Sequence, residues 1–261
     1  MLEDFQKTTF SFNNKTRDIY RKGSGPAVIV IEEMPGITPK VVEFAEKVQN
    51  LGLSVVIPQL FGDPGAPPSI GRFAKAFFPA CISKEFNVLA LKKTSPIVDW
   101  LRGLARSLHD ECGGHGVGVV GMCFTGGFAL AMMAGSPVIA PVMSQPSLPF
   151  AISAKAKSDL GLSDEELAVV KERCDKESLR VIGLRFTNDK AVPKERFSRL
   201  KEELGDKFVA IEIDSSPNNA FGNPSTAHSC LTEHLVEEEG HPTLDGLNIV
   251  LNLFREKLVD S

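Results

Sequence analysis

A chain of 261 residues, 43% hydrophobic and 24% charged, has the composition of a globular protein that can bury a large core without disulfides or a structural metal. Its formal net charge of -4 provides no basic surface for nucleic acid or an anionic membrane. No apolar run follows the acidic opening Met1-Leu2-Glu3-Asp4, and no stretch reaches the roughly 18 apolar residues that span a bilayer, so neither a signal peptide nor a membrane partner is expected.

Residues 9–20 alternate polar and apolar around Asn13-Asn14-Lys15, which predicts an N-terminal antiparallel hairpin. Ala27-Val28-Ile29-Val30-Ile31 is a continuous apolar run, the pattern of a strand buried on both faces. A helix is predicted from Thr38 to Asn50 with Pro39 in its first turn, then a strand from Leu53 to Ile57 stopped by Pro58. Residues 58–80, rich in Gly, Pro and Phe, read as a loop or cap over the sheet edge. Residues 84–109 carry helical periodicity and suggest two helices meeting near Pro96. His115 to Val120 predicts a buried strand, Phe124 to Ala134 a helix, and Val138 to Met143 a strand ending in Ser144-Gln145-Pro146. Ser163-Asp164-Glu165-Glu166 is a capping box opening a charged helix over 163–173. Leu179 to Phe186 and Phe208 to Ile213 are the last strands, and Thr243 to Leu258 is an amphipathic closing helix. Strands alternating with helices imply βαβ units on a mostly parallel twisted sheet with helices on both faces, an α/β fold in one domain over 1–261.

The five cysteines, at 81, 112, 123, 174 and 230, are odd in number and lack both a CxxC pair and zinc-type spacing with histidines. Reduced thiols in a cytoplasmic protein are expected, with no metal and no cofactor. One cysteine stands apart. In Val120-Gly121-Met122-Cys123-Phe124-Thr125-Gly126-Gly127 a buried strand runs through a tight turn straight into a helix. A nucleophile elbow needs this arrangement, with small residues two positions either side of the apex. Gly121 meets that need, and Thr125 meets it less well. A helix N-terminus favours the thiolate form of a cysteine, whose free pKa is about 8.5. The competing reading of Cys123 is a small buried hydrophobe at a helix start. A phosphate-loop reading fails because the run has neither GxGxxG nor a GK[ST] ending.

A thiol nucleophile needs a base and an acid to orient it, and in a hydrolase of this topology the acid follows the nucleophile and the histidine comes last. Asp189, just past a strand in Thr187-Asn188-Asp189-Lys190, is the candidate acid, with Asp214 the alternative and a plain turn residue the bland reading. His228, in Ser225-Thr226-Ala227-His228-Ser229, is the candidate base and His241, in Glu239-Gly240-His241-Pro242, its rival. His234 reads as a surface or packing residue, and His109 and His115 precede the cysteine.

Together these residues resemble the dienelactone hydrolase family, most specifically at Glu33-Met34-Pro35-Gly36, at the Cys123 elbow, and at Asp189 followed by Val192-Pro193. The resemblance implies an α/β-hydrolase fold and a Cys123–His228–Asp189 triad cleaving a lactone or carboxylic ester through an acyl-enzyme. It further implies that Glu33 contacts and helps activate the thiol. Backbone N–H groups of Met34 and Phe124 would form the oxyanion hole, each donor worth about 3 kcal/mol in the transition state. The expected partner is a small ester or lactone, with the protein a monomer or small homo-oligomer. Two departures weigh on the substrate. Thr125 stands where the family usually has glycine, and no arginine shortly follows His228 to hold a substrate carboxylate; Arg72 and Lys75 in the 58–80 segment could supply positive charge, though no motif marks them for it. A hydrolase-fold protein acting only as a binding module is the alternative, and thiol redox chemistry is disfavoured by the lack of a resolving cysteine.

Overall fold

The computed structural model describes residues 1–86, 92–148 and 153–260. Among the described residues eight strands form one sheet, in the order β1 (Gln6–Phe12), β2 (Lys15–Lys22), β4 (Ser54–Pro58), β3 (Ala27–Ile31), β5 (Val117–Met122), β6 (Val138–Ser144), β7 (Val181–Phe186) and β8 (Phe208–Ile213). The predicted hairpin is β1 and β2, and Asn13 and Asn14 take the left-handed conformation its two-residue turn requires. β2 pairs antiparallel with β4. From there the sheet is parallel through β3, β5, β6, β7 and β8. This is the α/β-hydrolase architecture the sequence implied.

Side-chain alternation explains why β3 is apolar throughout. Ala27, Ile29 and Ile31 enter the core on one face, while Val28 and Val30 enter the core on the other. The first face is covered by α3 (Pro96–Cys112), α4 (Gly126–Met132), α6 (Asp164–Lys176) and α7 (Lys194–Leu204). The second is covered by α1 (Pro39–Gln49) and α8 (Pro242–Phe254). The capping box forms as expected, with Ser163 accepting from Glu166 N and Glu166 reaching back to Ser163 N.

Three expectations need correction. The 58–80 segment is not all loop: Ser69 accepts from Arg72 N and opens α2 (Ile70–Ile82), with Pro79 in its last turns. Among the described residues of 84–109, no second helix meets α3 near Pro96. Pro96 is the first residue of α3, and 84–86 form a turn; the part of that expectation over 87–91 lies outside the described residues. The segment 194–204, for which the sequence predicts no element, forms α7, which buries Phe197 and Leu200 beneath a mostly charged surface. A short helix, α5, spans Ala154–Lys157. No helix among the described residues is long and apolar enough to cross a membrane.

Candidate active site

The site is built where the parallel strands end. β5 runs into Cys123, whose φ of 55° is left-handed, and the chain turns at once through Phe124 and Thr125 into α4. A non-glycine residue held there is strained, and such strain at a strand-to-helix turn pushes the side chain out over the sheet edge. The turn closes so tightly that a Cβ on Gly121 would lie 2.3 Å from Thr125 O. Thr125, expected to be the weak member of this turn, tightens it instead. Its buried hydroxyl accepts from Met122 N at 2.9 Å and lies 3.2 Å from the carbonyl oxygens of Ile31 and Glu32. It therefore ties the elbow to the end of β3.

Cys123 is half-buried in a cavity of about 670 Å³, together with Glu33, Met34, Phe124 and His228. His228 Nδ1 lies 2.6 Å from Asp189 Oδ2. Asp189 is placed by the turn after β7, where its Oδ1 accepts from Ala191 N at 2.9 Å. Burial alone would lower the His228 pKa, but hydrogen bonds to Asp189 and Cys123, and the charges of both, push it up to about 11. Asp189, His228 and Cys123 are thus brought together. Asp214 is not: it is exposed and closes its own turn by accepting from Ser216 N at 2.9 Å. Nor is His241, which caps α8 by accepting from Thr243 N. Arg72 and Lys75 lie on α2 beside Asp63, away from the cavity.

Glu33 sits at the end of β3, buried on the cavity floor. Its hydrogen bonds go to the frame around the thiol. Oε2 accepts from Ser229 Oγ at 2.7 Å and from Gln145 Nε2 at 3.0 Å, and Oε1 accepts from Thr232 Oγ1. Gln145 is fully buried and left-handed at the end of β6. Its Oε1 accepts from Cys230 N at 3.1 Å and from Ser144 Oγ. One polar network therefore joins the ends of β3 and β6 to the loop that carries His228. Such a network is rigid when every member is paired.

Several site residues carried no sequence signal. Ser147 lies in the loop after β6, with Oγ 3.5 Å from Cys123 Sγ and 3.5 Å from His228 Nε2, and its N–H donates to Cys123 O at 2.9 Å. Buried Arg196 holds that loop from below by donating to Pro146 O at 2.9 Å and to Leu160 O at 3.1 Å; burial lowers its pKa to about 10. His234, expected to be a surface or packing residue, packs edge-on against Phe186 and also braces the histidine loop. Its Nδ1 accepts from Ser229 N at 3.2 Å and from His228 N at 3.4 Å, and burial lowers its pKa. Only the strand-ending Ser144-Gln145-Pro146 could have hinted at this frame.

The other thiols contrast with Cys123. Cys174 and Cys230 are buried, and burial raises the first to about 11 and the second well above the ordinary thiol value. Cys112 is a further free thiol, while the side chain of Cys81 lies outside the described residues. No group of three or more metal-ligating side chains occurs among the described residues.

The sequence pattern of the dienelactone hydrolase family matches residues 17–257. No curated protein sequence matches the chain. Among solved structures, it is similar to a dienelactone hydrolase from Anabaena variabilis, with a TM-score of 0.57, 16% identity, and 98% of this chain and 99% of that one covered. It is also similar to a dienelactone hydrolase-like promiscuous phosphotriesterase from metagenomic libraries, with a TM-score of 0.60, 16% identity, and 97% and 98% covered. A third is the thioesterase domain from the curacin biosynthetic pathway, with a TM-score of 0.57, 11% identity, and 95% and 99% covered. These likenesses carry the fold.

Proposed function

The chain belongs to the dienelactone hydrolase family and is a hydrolase, and we propose that it cleaves carboxylic esters or lactones by acyl transfer to Cys123. One observation carries this reading: a strained cysteine at the strand-to-helix turn shares a cavity with a histidine that is itself bound to Asp189. Nucleophile, base and orienting acid then stand in the order acyl transfer needs. His228 takes the proton of the Cys123 thiol, and the Asp189 carboxylate beside its Nδ1 favours the resulting imidazolium.

In the first half-reaction the Cys123 thiolate attacks the carbonyl carbon. The carbonyl π pair moves to oxygen, which lies toward the backbone N–H groups of Met34 and Phe124. Phe124 opens a helical turn, where N–H groups lack intrahelical acceptors and are free to stabilise an oxyanion. The tetrahedral species collapses, the C–O bond breaks, and His228 gives its proton to the departing alkoxide. In the second half-reaction neutral His228 takes a proton from water, the hydroxide attacks the thioester, and the thiolate leaves with the imidazolium restored. The released acid balances one water per ester. Asp189 holds the imidazole orientation throughout, and Glu33 acts as a positioning residue through Ser229, Gln145 and Thr232 rather than by direct contact with the sulfur.

The test is p-nitrophenyl acetate turnover together with intact-mass analysis of quenched enzyme. An acetyl adduct on the wild type, missing from Cys123→Ala along with turnover, supports the reading. Unchanged turnover in Cys123→Ala removes it.

A further inference from the structure

The cavity above Cys123 has walls that the chemistry does not use. A volume of about 670 Å³ is that of a drug-sized ligand site, far more than a short acyl group fills. Its upper wall comes from α2: Phe73 and Phe77, one helical turn apart, stack with ring centroids 5.4 Å apart and both face the cavity. Met34, Phe124 and Leu148 continue the apolar surface down to the sulfur. Behind Phe124, the rings of Phe61, Phe86 and Phe128 pack at centroid distances of 5.9, 5.6 and 5.9 Å, so this wall has a solid backing.

The charges in the cavity point the same way. Beyond the paired Asp189 and His228, the lining carries Glu33, Glu233 and Lys190. Glu33 is buried, whereas Glu233 and Lys190 are both exposed at the rim. Burial, and after it the neighbouring Glu33, raise the Glu233 pKa, as two acids facing one space require. Among the described residues no arginine lines the cavity. A substrate carboxylate placed there would meet the buried acid Glu33 and, at the rim, one solvated acid and one solvated ammonium group.

Building on the cysteine-hydrolase reading, we propose that the substrate is an uncharged ester with an extended apolar acyl group, seated against Phe73 and Phe77, and not a carboxylate-bearing lactone. The apolar tail would lie along α2 while the carbonyl rests over the elbow. Each buried methylene is then worth roughly a three- to four-fold gain in kcat/KM while the wall lasts.

The experiment compares p-nitrophenyl acetate, pentanoate, octanoate and hemisuccinate, which share one leaving group. The expected result is kcat/KM rising by about ten-fold or more from acetate to octanoate, and hemisuccinate about ten-fold or more below the similarly sized pentanoate. In the double variant Phe73→Ala/Phe77→Ala the octanoate-to-acetate ratio should fall by about five-fold or more. A flat chain-length profile overturns the proposal. So does a preference for hemisuccinate, and its loss in Lys190→Gln would identify that lysine as the anion's partner. If no ester is turned over and no acyl adduct forms, the hydrolase reading fails by itself. Cavity preference is then read from alkylation of Cys123 by N-octyl iodoacetamide, iodoacetamide and iodoacetate, followed by intact mass. Fastest labelling by the octyl reagent sustains an apolar, anion-averse site, and equal or faster labelling by iodoacetate overturns it.

Discussion

The floor and the roof of the cavity are built on opposite principles. The floor is polar and tied together: Glu33 holds Gln145, Ser229 and Thr232, Cys123 and Asp189 follow the ends of β5 and β7, and His228 is held on the loop beyond β8. The roof is one helix, α2, that presents phenylalanines to the cavity and leaves Ile70 and Phe78 91% and 66% exposed outside it. A floor with two discrete bonding states, made or broken, suits proton transfer and charge development, where small displacements are costly. A roof of rings without hydrogen-bond demands suits variable substrates. Substitutions in the floor should therefore change the chemical step, and those in the roof should change which ester is accepted.

The largest expected effect is at the thiol. Cys123→Ala and His228→Ala should each lower kcat/KM for p-nitrophenyl esters by about four orders of magnitude or more. His241→Ala should leave turnover near the wild-type level and lower stability by about 1 kcal/mol, because its recorded bonds cap α8. If the two histidine variants exchange outcomes, the floor has been assigned to the wrong residue.

Next comes Asp189→Asn. The amide cannot stabilise the imidazolium as the carboxylate does, so kcat/KM should drop by roughly two to four orders of magnitude. The pH profile sharpens this. The raised His228 pKa means that the ion pair contributes stability fully below the unfolded value of 6.5 and loses it as pH climbs through about 11. The wild type should hold its activity well into the alkaline range, and Asp189→Asn should lose it at lower pH. An alkaline limb that does not move would show that Asp189 does not set the imidazole.

Glu32 joins floor to roof. It is fully buried, and its Oε1 accepts from Leu60 N at 2.7 Å and Phe61 N at 2.6 Å, fixing Phe61 against Phe124; Oε2 has no partner among the described residues. Burial raises its pKa to about 8, against the smaller opposing pull of those two N–H groups and Arg17. The folded chain therefore keeps a proton that the unfolded chain releases above 4.5. Stability should be full below that pH and fall as pH rises towards 8, by on the order of a few kcal/mol. Urea denaturation between pH 5 and 9 checks this, and Glu32→Gln should flatten the slope. Gln145→Leu should cost about 1–3 kcal/mol by leaving Cys230 N and Glu33 short of partners, a shift of several degrees in Tm.

The two halves also differed in how far the sequence revealed them. The elbow, Asp189 and His228 were legible because local rules bind them: an apolar strand, a forced tight turn, and a fixed order of acid and histidine. Their partners were not. Gln145, Ser147 and His234 act through contacts 80 or more residues away or through backbone groups, and no local pattern marks a glutamine that bridges Glu33 to Cys230. α2 was hidden for another reason. Its Gly71 and Pro79, and the prolines before it, look like a loop, and the helical period is carried by Phe73 and Phe77 with the small Ala76 and Ala80. α7 escaped notice because its stripe of Phe197, Leu200 and Leu204 is narrow among charges.

The smallest expected effect falls on Ser147, which stands between sulfur and imidazole with its hydroxyl 3.5 Å from each. At that distance it makes only weak bonds to either, and it has the Gln145 carbonyl as a further acceptor at 3.3 Å. Its backbone does firmer service, since Ser147 N binds Cys123 O regardless of side chain. Ser147→Ala should therefore keep the fold and lower kcat/KM by only about two- to ten-fold, with the loss in kcat rather than KM if the hydroxyl steadies the ion pair. Ser147→Thr, which keeps the hydroxyl but adds a methyl group facing the cavity, should preserve kcat and penalise the bulkier esters. A drop of several orders of magnitude in Ser147→Ala would make the hydroxyl a proton carrier between Cys123 and His228, and the floor would then hold four chemical members instead of three.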